Sequence, residues 1–67
     1  MTPLDQYLDR EGETTTAFAA RVGCDIATIS RIRRGLQEPA LALAARIVEA
    51  TGNRVGFDDL MKKRRRG

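Results

Sequence analysis

The sequence contains no histidine and only one cysteine, Cys24. A single cysteine cannot form a disulfide within the chain, and without histidine partners it cannot complete a zinc site. The carboxylates likewise have no histidine to work with, and the sequence shows no nucleophile–base pair, phosphate-binding loop or metal cluster. We therefore expect neither an enzyme nor a bound cofactor or metal. Cys24 is expected to be a small, half-buried residue.

Long apolar stretches are also missing. No segment approaches the roughly 20 apolar residues that span a bilayer, and the N-terminal stretch MTPLDQYLDR is acidic and helical in pattern rather than a signal peptide. We therefore expect a soluble, cytoplasmic protein with no membrane partner. The chain has 67 residues, and a chain of about this size buries only about 60% of its unfolded surface. The core is therefore small, and oligomerisation would add stability.

Positive charge is concentrated at the C-terminus. The chain has twelve basic and nine acidic residues, and five of the basic ones form the run KKRRR at 62–66. Without this run the chain is slightly acidic, so its high pI does not by itself indicate a nucleic-acid-binding surface. We assign residues 1–61 to a folded domain and 62–67 to a basic, disordered tail. Such a tail either only aids solubility or also contacts phosphates or another polyanion.

Apolar spacing and capping residues predict an all-α fold of four helices and a short fifth. Thr2, Thr14 and Asp25 are the expected N-caps of the first three helices. A fourth helix follows Pro39 over residues 40–50. Glycine ends each of these four helices.

The C-terminal segment is harder to interpret. Val55 and Phe57 alternate with Arg54 and Gly56, which suits a short extended piece. Asp58 would then cap a last helical turn. The predicted fold is thus a four- to five-helix domain with a short extended and helical C-terminal segment.

The most informative stretch is GCDIATISRIRRG at 23–35. A helix of about eight residues, a turn that begins with glycine and a second capped helix have the anatomy of a helix-turn-helix. Ile29 and Ile32 share one face of the second helix and would lock it against the first. At about 100° per residue, the opposite face carries small, hydroxyl and basic residues. These residues are Ala27, Ser30, Arg31 and Arg34, with Ile26 and Arg33 at the margins.

This outer face suits a DNA major groove. Arg31 is the strongest candidate for a base contact, because arginine is the commonest reader of guanine; the alternative is a phosphate contact or a free surface side chain. Ile26 and Ala27 would meet thymine methyl groups, an apolar form of readout. For Ile26, partial burial against the first helices is the alternative. We predict base contacts by Ile26, Ala27, Ser30 and Arg31.

The stretch TTTAFAARVGCDIATISRIRRGLQEP resembles the helix-turn-helix of the phage repressor and Cro (Xre-type) family. The matching positions are Thr14, Phe18–Ala19, Val22–Gly23, Thr28 to Ile32, Arg34–Gly35 and Pro39. The resemblance covers residue 4 to about residue 52. It implies a five-helix repressor-type domain that binds pseudo-palindromic operators in double-stranded DNA as a homodimer, with the third helix in the major groove.

The resemblance also implies roles for individual residues. It places Asp25 and the four predicted base-contact residues at base edges and nearby phosphates. The positions that it assigns to phosphate contacts are Thr14, Thr15, Asp25, Arg34 and Gln37. The region that the family uses for dimerisation contains Val55, Phe57, Leu60 and Met61. The alternative for these four residues is that they fold back and complete the core.

Four residues depart from the family pattern. Ile26 and Ala27 stand where many members carry glutamine or serine, which can bond to bases. Asp25 replaces the usual serine or threonine cap, and its charge would repel a nearby phosphate. Arg33 stands where an acidic residue is frequent. An ion pair between the first and third helices would therefore need reversed polarity, with an acidic residue on the first helix.

The sequence thus favours a homodimeric, sequence-specific DNA-binding regulator from a phage or other mobile element, which represses transcription by occupying a promoter. One alternative is the DNA-binding antitoxin of a toxin–antitoxin pair, which would hold a second protein through its C-terminus. Another is a protein-binding helical module without DNA binding. The apolar start of the third helix and the charge of Asp25 are the support for that alternative.

Overall fold

The computed structural model of the protein describes residues 2–61. Within this range the chain forms five helices and no strand. The helices are α1 (Pro3–Glu11), α2 (Thr15–Val22), α3 (Ile26–Arg33), α4 (Leu41–Ala50) and α5 (Phe57–Leu60). The predicted all-α fold is confirmed, whereas the tail predicted at 62–67 lies outside the described residues. None of the described helices has the length and apolar character needed to cross a bilayer.

The first three helices begin at the predicted side-chain caps. Thr2 Oγ1, Thr14 Oγ1 and Asp25 Oδ2 each accept the backbone N–H three positions further on, at 3.0, 3.0 and 3.1 Å. Each bond satisfies one of the N–H groups that a helix start leaves without an intrahelical partner. α4 begins without a side-chain cap, at Ala40. The starts of α1, α2 and α3 are therefore fixed by local sequence.

The core lies where the helices converge. Its buried apolar residues are Leu4, Leu8, Phe18, Ala19, Val22, Ile29, Ile32, Ala44, Ile47, Val55 and Leu60. Phe18 is the largest of the fully buried side chains. Its ring meets that of Tyr7 edge-on, with the ring centroids 6.5 Å apart. Burial of Ile29 and Ile32 confirms the predicted inner face of α3.

The C-terminal segment differs from the prediction. No strand forms at 54–57, and α5 begins at Phe57, so Asp58 lies within the helix rather than at its cap. The N-cap is Gly56, and its N–H donates to Asp59 Oδ2 at 2.9 Å. A carboxylate at the third helical position thus orders the start of this short helix from inside. The alternation of apolar residues did not reveal this geometry.

Two of the four residues predicted for the dimer interface lie in the core of the subunit instead. Val55 is 1% exposed and Leu60 is 5% exposed. A turn brings Val55 inward, because Thr51 Oγ1 accepts the Val55 N–H at 3.2 Å. Phe57 remains 43% exposed and Met61 is half-buried. The prediction of a subunit contact is therefore corrected for Val55 and Leu60, since neither side chain can reach a second molecule.

Candidate functional site

The turn between α2 and α3 follows the predicted helix-turn-helix pattern. Gly23 has a φ of 72° and ends α2, and glycine takes this left-handed conformation without the steric cost of a Cβ. The N–H of Cys24 then donates to Ala19 O at 2.9 Å. Cys24 is half-buried against the core, as expected. This tight reversal lets α3 start almost immediately and pack across α2.

The start of α3 is organised by Asp25 together with Thr28. Thr28 donates its N–H to Asp25 Oδ2 at 3.1 Å and its hydroxyl to Oδ1 at 2.7 Å. These two hydrogen bonds lower the pKa of Asp25, because they stabilise its ionised form. Both carboxylate oxygens thus serve to hold the first turn of α3. The three-residue spacing, which is that of a capping box, could have revealed the role of Thr28.

The outer face of α3 is exposed where base contacts were predicted. Ala27 and Arg31 are exposed, and Ile26 is 49% exposed, so packing does not consume its side chain. Ser30 is half-buried and therefore less accessible than predicted. The structure thus brings Ile26, Ala27 and Arg31 to one accessible surface and places Ser30 at its edge.

Arg33, at the end of α3, forms hydrogen bonds with residues at the starts of α1 and α2. Its Nε donates to Asp5 Oδ1 at 2.7 Å, and its Nη1 donates to Thr15 Oγ1 at 2.8 Å. The Arg33 carbonyl oxygen accepts a hydrogen bond from Thr2 Oγ1. We call these four residues the Arg33 clamp. The ion pair of reversed polarity between α1 and α3 is present.

The residues predicted for phosphate contacts lie in different surroundings. Thr14 is exposed and caps α2. Thr15 is half-buried and accepts from Arg33, although its hydroxyl hydrogen is still available to an acceptor. Arg34 and Gln37 are exposed in the segment that follows α3. Because Arg33 donates to Thr15, the N-terminus of α2, which is the positive end of its helix dipole, lies next to the end of α3.

Within the described residues, some arginines are paired with a carboxylate and others are not. Carboxylates pair with Arg21, Arg33 and Arg54, at 2.8, 2.7 and 3.1 Å. Within residues 2–61, no carboxylate lies within ion-pair distance of Arg31 or Arg34. These two side chains are therefore available to an external anion, even though the chain outside its C-terminal run is slightly acidic.

A groove of about 500 Å³ lies elsewhere, between the C-terminal halves of α2 and α4. Arg21, Arg46 and Glu49 line it, together with small apolar residues. It includes none of the residues predicted to contact DNA. In the described part of the chain, no cluster of histidine, cysteine, aspartate or glutamate side chains is arranged to hold a metal ion.

No protein-family model matches this chain, and no curated protein or solved structure is significantly similar to it. Its function is therefore inferred from its own residues.

Proposed function

We propose that the protein is a sequence-specific DNA-binding protein of the helix-turn-helix type, which represses transcription as a homodimer by occupying a promoter. One observation carries this proposal. α3 is held from inside by Ile29 and Ile32 and at its end by Arg33, whereas its outer side exposes Ala27 and Arg31. A rigidly held helix with an accessible, unpaired arginine is suited to read base edges.

The dimensions of α3 suit a major groove. An α-helix with its side chains is about 10–12 Å across, and the groove is about 12 Å wide. α3 has eight residues, so at about 1.5 Å per residue it is about 12 Å long. At about 3.4 Å per base pair, this length matches roughly three to four base pairs. One subunit would therefore read a short half-site, and two subunits on half-sites about one helical turn apart would double the sequence read.

Base readout is assigned mainly to Arg31. Its guanidinium would bond to guanine O6 and N7, and Ala27, one turn earlier, leaves space for its approach. Ile26 and Ala27 would contact thymine methyl groups. Ser30 would contribute only at the edge because it is half-buried. The expected half-site therefore contains guanine and thymine among the bases that α3 contacts.

Phosphate contacts are assigned to both sides of α3. Thr14 and Thr15 lie at the N-terminus of α2, and Arg34 and Gln37 follow α3. We assign Asp25 to helix capping rather than to phosphate, because an ionised carboxylate has no hydrogen to donate and repels an anion. Its predicted side-chain contact with phosphate is therefore withdrawn.

The proposed subunit contact includes fewer residues than the sequence predicted. Phe57 and Met61 are the accessible members of the predicted interface, and Phe57 is 43% exposed at the start of α5. Large apolar side chains at the surface are candidates for burial against a partner, although single ones are common on monomers. The oligomeric state measured by sedimentation tests this part of the proposal separately from DNA binding.

A salt titration with selected DNA tests the proposal. Duplexes of roughly 30 base pairs, long enough for two half-sites about one turn apart, are enriched from a random library by the wild-type protein. Their affinity is then measured by fluorescence anisotropy from about 50 to 200 mM salt. We expect log K to fall with log salt by about 0.9 for each phosphate that a cationic side chain neutralises. A flat salt dependence, or no binding below about 1 μM, would contradict the proposal.

A further inference from the structure

The Arg33 clamp joins three helices through one side chain and one carbonyl group. Arg33 is the last residue of α3, Thr15 is the first residue of α2, and Thr2 and Asp5 belong to the cap and first turn of α1. The side chains of Arg33 and Asp5 are only 20% and 25% exposed. Water and salt therefore screen this ion pair less than they screen a fully exposed one.

The clamp fixes an orientation that apolar packing does not fix. Burial of Ile29 and Ile32 holds α3 against the core, but the hydrophobic effect is non-directional and does not by itself specify hydrogen-bond geometry. Hydrogen bonds depend steeply on distance and angle. The planar guanidinium directs its Nε and Nη1 hydrogens along separate lines, to Asp5 and to Thr15. The Arg33 side chain therefore fixes the position of the last turn of α3 relative to the starts of α1 and α2.

Resting on the proposed function, we propose that Arg33 is a positioning residue for DNA recognition. The clamp holds the outer face of α3 in register with the N-terminus of α2. Base contacts by Arg31 and phosphate contacts at Thr14 then form together on one duplex. Arg33 itself does not touch DNA in this arrangement. Loss of the clamp therefore lowers discrimination between sequences more than it lowers general attraction to DNA.

The substitution Asp5→Ala tests this inference because its two expected effects have opposite signs. It removes a negative charge, so electrostatics alone predicts equal or tighter binding to any DNA. Loss of the clamp predicts weaker binding to the enriched duplex. Asp9→Ala is the matched control, because Asp9 is an exposed residue of the same helix, outside the clamp, and the charge change is identical.

The measurement compares the enriched duplex with a scrambled duplex of equal length. For Asp5→Ala we expect at least about tenfold weaker binding to the enriched duplex, with affinity for the scrambled duplex unchanged or higher. Tenfold corresponds to about 1.4 kcal/mol, the scale of one hydrogen bond to a charged group in one subunit, and the loss in the second subunit of a homodimer adds to it. Asp9→Ala should show no loss on either duplex. Equal affinities of the two variants for the enriched duplex would overturn the inference and leave the proposed function intact.

A second variant covers the case in which Asp5→Ala does not fold, as judged by circular dichroism at the assay temperature. Arg33→Lys keeps the charge but replaces the rigid planar fork by a flexible ammonium group, so the fixed directions of the two bonds are lost. Its enriched-to-scrambled affinity ratio should fall about tenfold, by the same conversion, and an unchanged ratio overturns the inference. If the wild-type protein enriches no duplex, the proposed function fails, and the inference fails with it.

Discussion

Replacing Arg31 by alanine should weaken DNA binding without weakening the fold. Arg31 is exposed on α3, and no carboxylate of residues 2–61 forms an ion pair with it. Alanine is a strong helix former, and substitutions at such surface positions usually change stability by less than about 0.5 kcal/mol. The melting curve of Arg31→Ala should therefore overlay that of the wild type.

The expected loss of affinity follows from the contact that Arg31 is proposed to make. A bidentate arginine–guanine contact is worth about 1–3 kcal/mol of discrimination, which is about 5- to 140-fold at 1.4 kcal/mol per tenfold. A homodimer carries the substitution in both subunits, so a two-fold site should lose at least about 25-fold if the two losses add. Anisotropy titrations of the enriched duplex measure this loss directly.

Arg10→Ala is the matched control for Arg31→Ala. Arg10 is an exposed arginine in the last turn of α1, so its removal changes the net charge equally while leaving α3 untouched. Equal affinities of the two variants would refute the assignment of Arg31 to readout. A loss that is uniform over all duplexes, with a salt slope lower by about 0.9 per subunit, would place Arg31 on a phosphate instead of a base.

Three further predictions concern stability. Gly23→Ala should lower the free energy of unfolding, measured in urea, by about 1–2 kcal/mol, because Gly23 has a left-handed φ of 72°. Gly56→Ala, at a φ of −95°, should lower it much less, and equal losses would contradict the argument. Phe18→Ala should cost about 3–5 kcal/mol and leave little folded protein, whereas Leu36→Ala, which is 68% exposed in the wild type, should change the melting temperature little. The pKa of Asp25 is lowered on folding, so its contribution to stability is present above its ordinary value of 3.8 and is lost as the pH falls through the lower folded value. Asp25→Asn keeps a capping oxygen, so its melting temperature should fall less than that of the wild type as the pH is lowered below about 3.8. An unchanged dependence of melting temperature on pH would show that other groups determine the acid sensitivity.

Local signals in the sequence were sufficient for most of the fold. The sequence predicts the three N-caps correctly because each cap accepts a hydrogen bond from a backbone N–H only three positions further along the chain. These caps are Thr2, Thr14 and Asp25. The burial of Ile29 and Ile32 followed from helical periodicity, which requires no knowledge of their partners. These features depend on residues that are neighbours along the chain.

The parts that the sequence predicted wrongly or only in part depend on distant residues. Val55 and Leu60 reach the core because a turn at Thr51 reverses the chain and returns α5 to the bundle. Alternating apolar residues are compatible with either an extended surface segment or such a return. The partners of Arg33 lie 28 and 18 positions away, and helical periodicity places a side chain on a face without selecting its hydrogen-bond partner.

If the proposed function holds, the separation between the outer face of α3 and the core has a consequence for how the choice of DNA target can change. Ile26, Ala27 and Arg31 are exposed, so they can be exchanged at little cost to folding. Libraries randomised at these three positions could retarget the scaffold to new operators. Arg33 and Asp5 do not have this freedom, because each depends on the charge of the other. We expect viable changes at those two positions to occur as pairs, while residues on the outer face of α3 change one at a time.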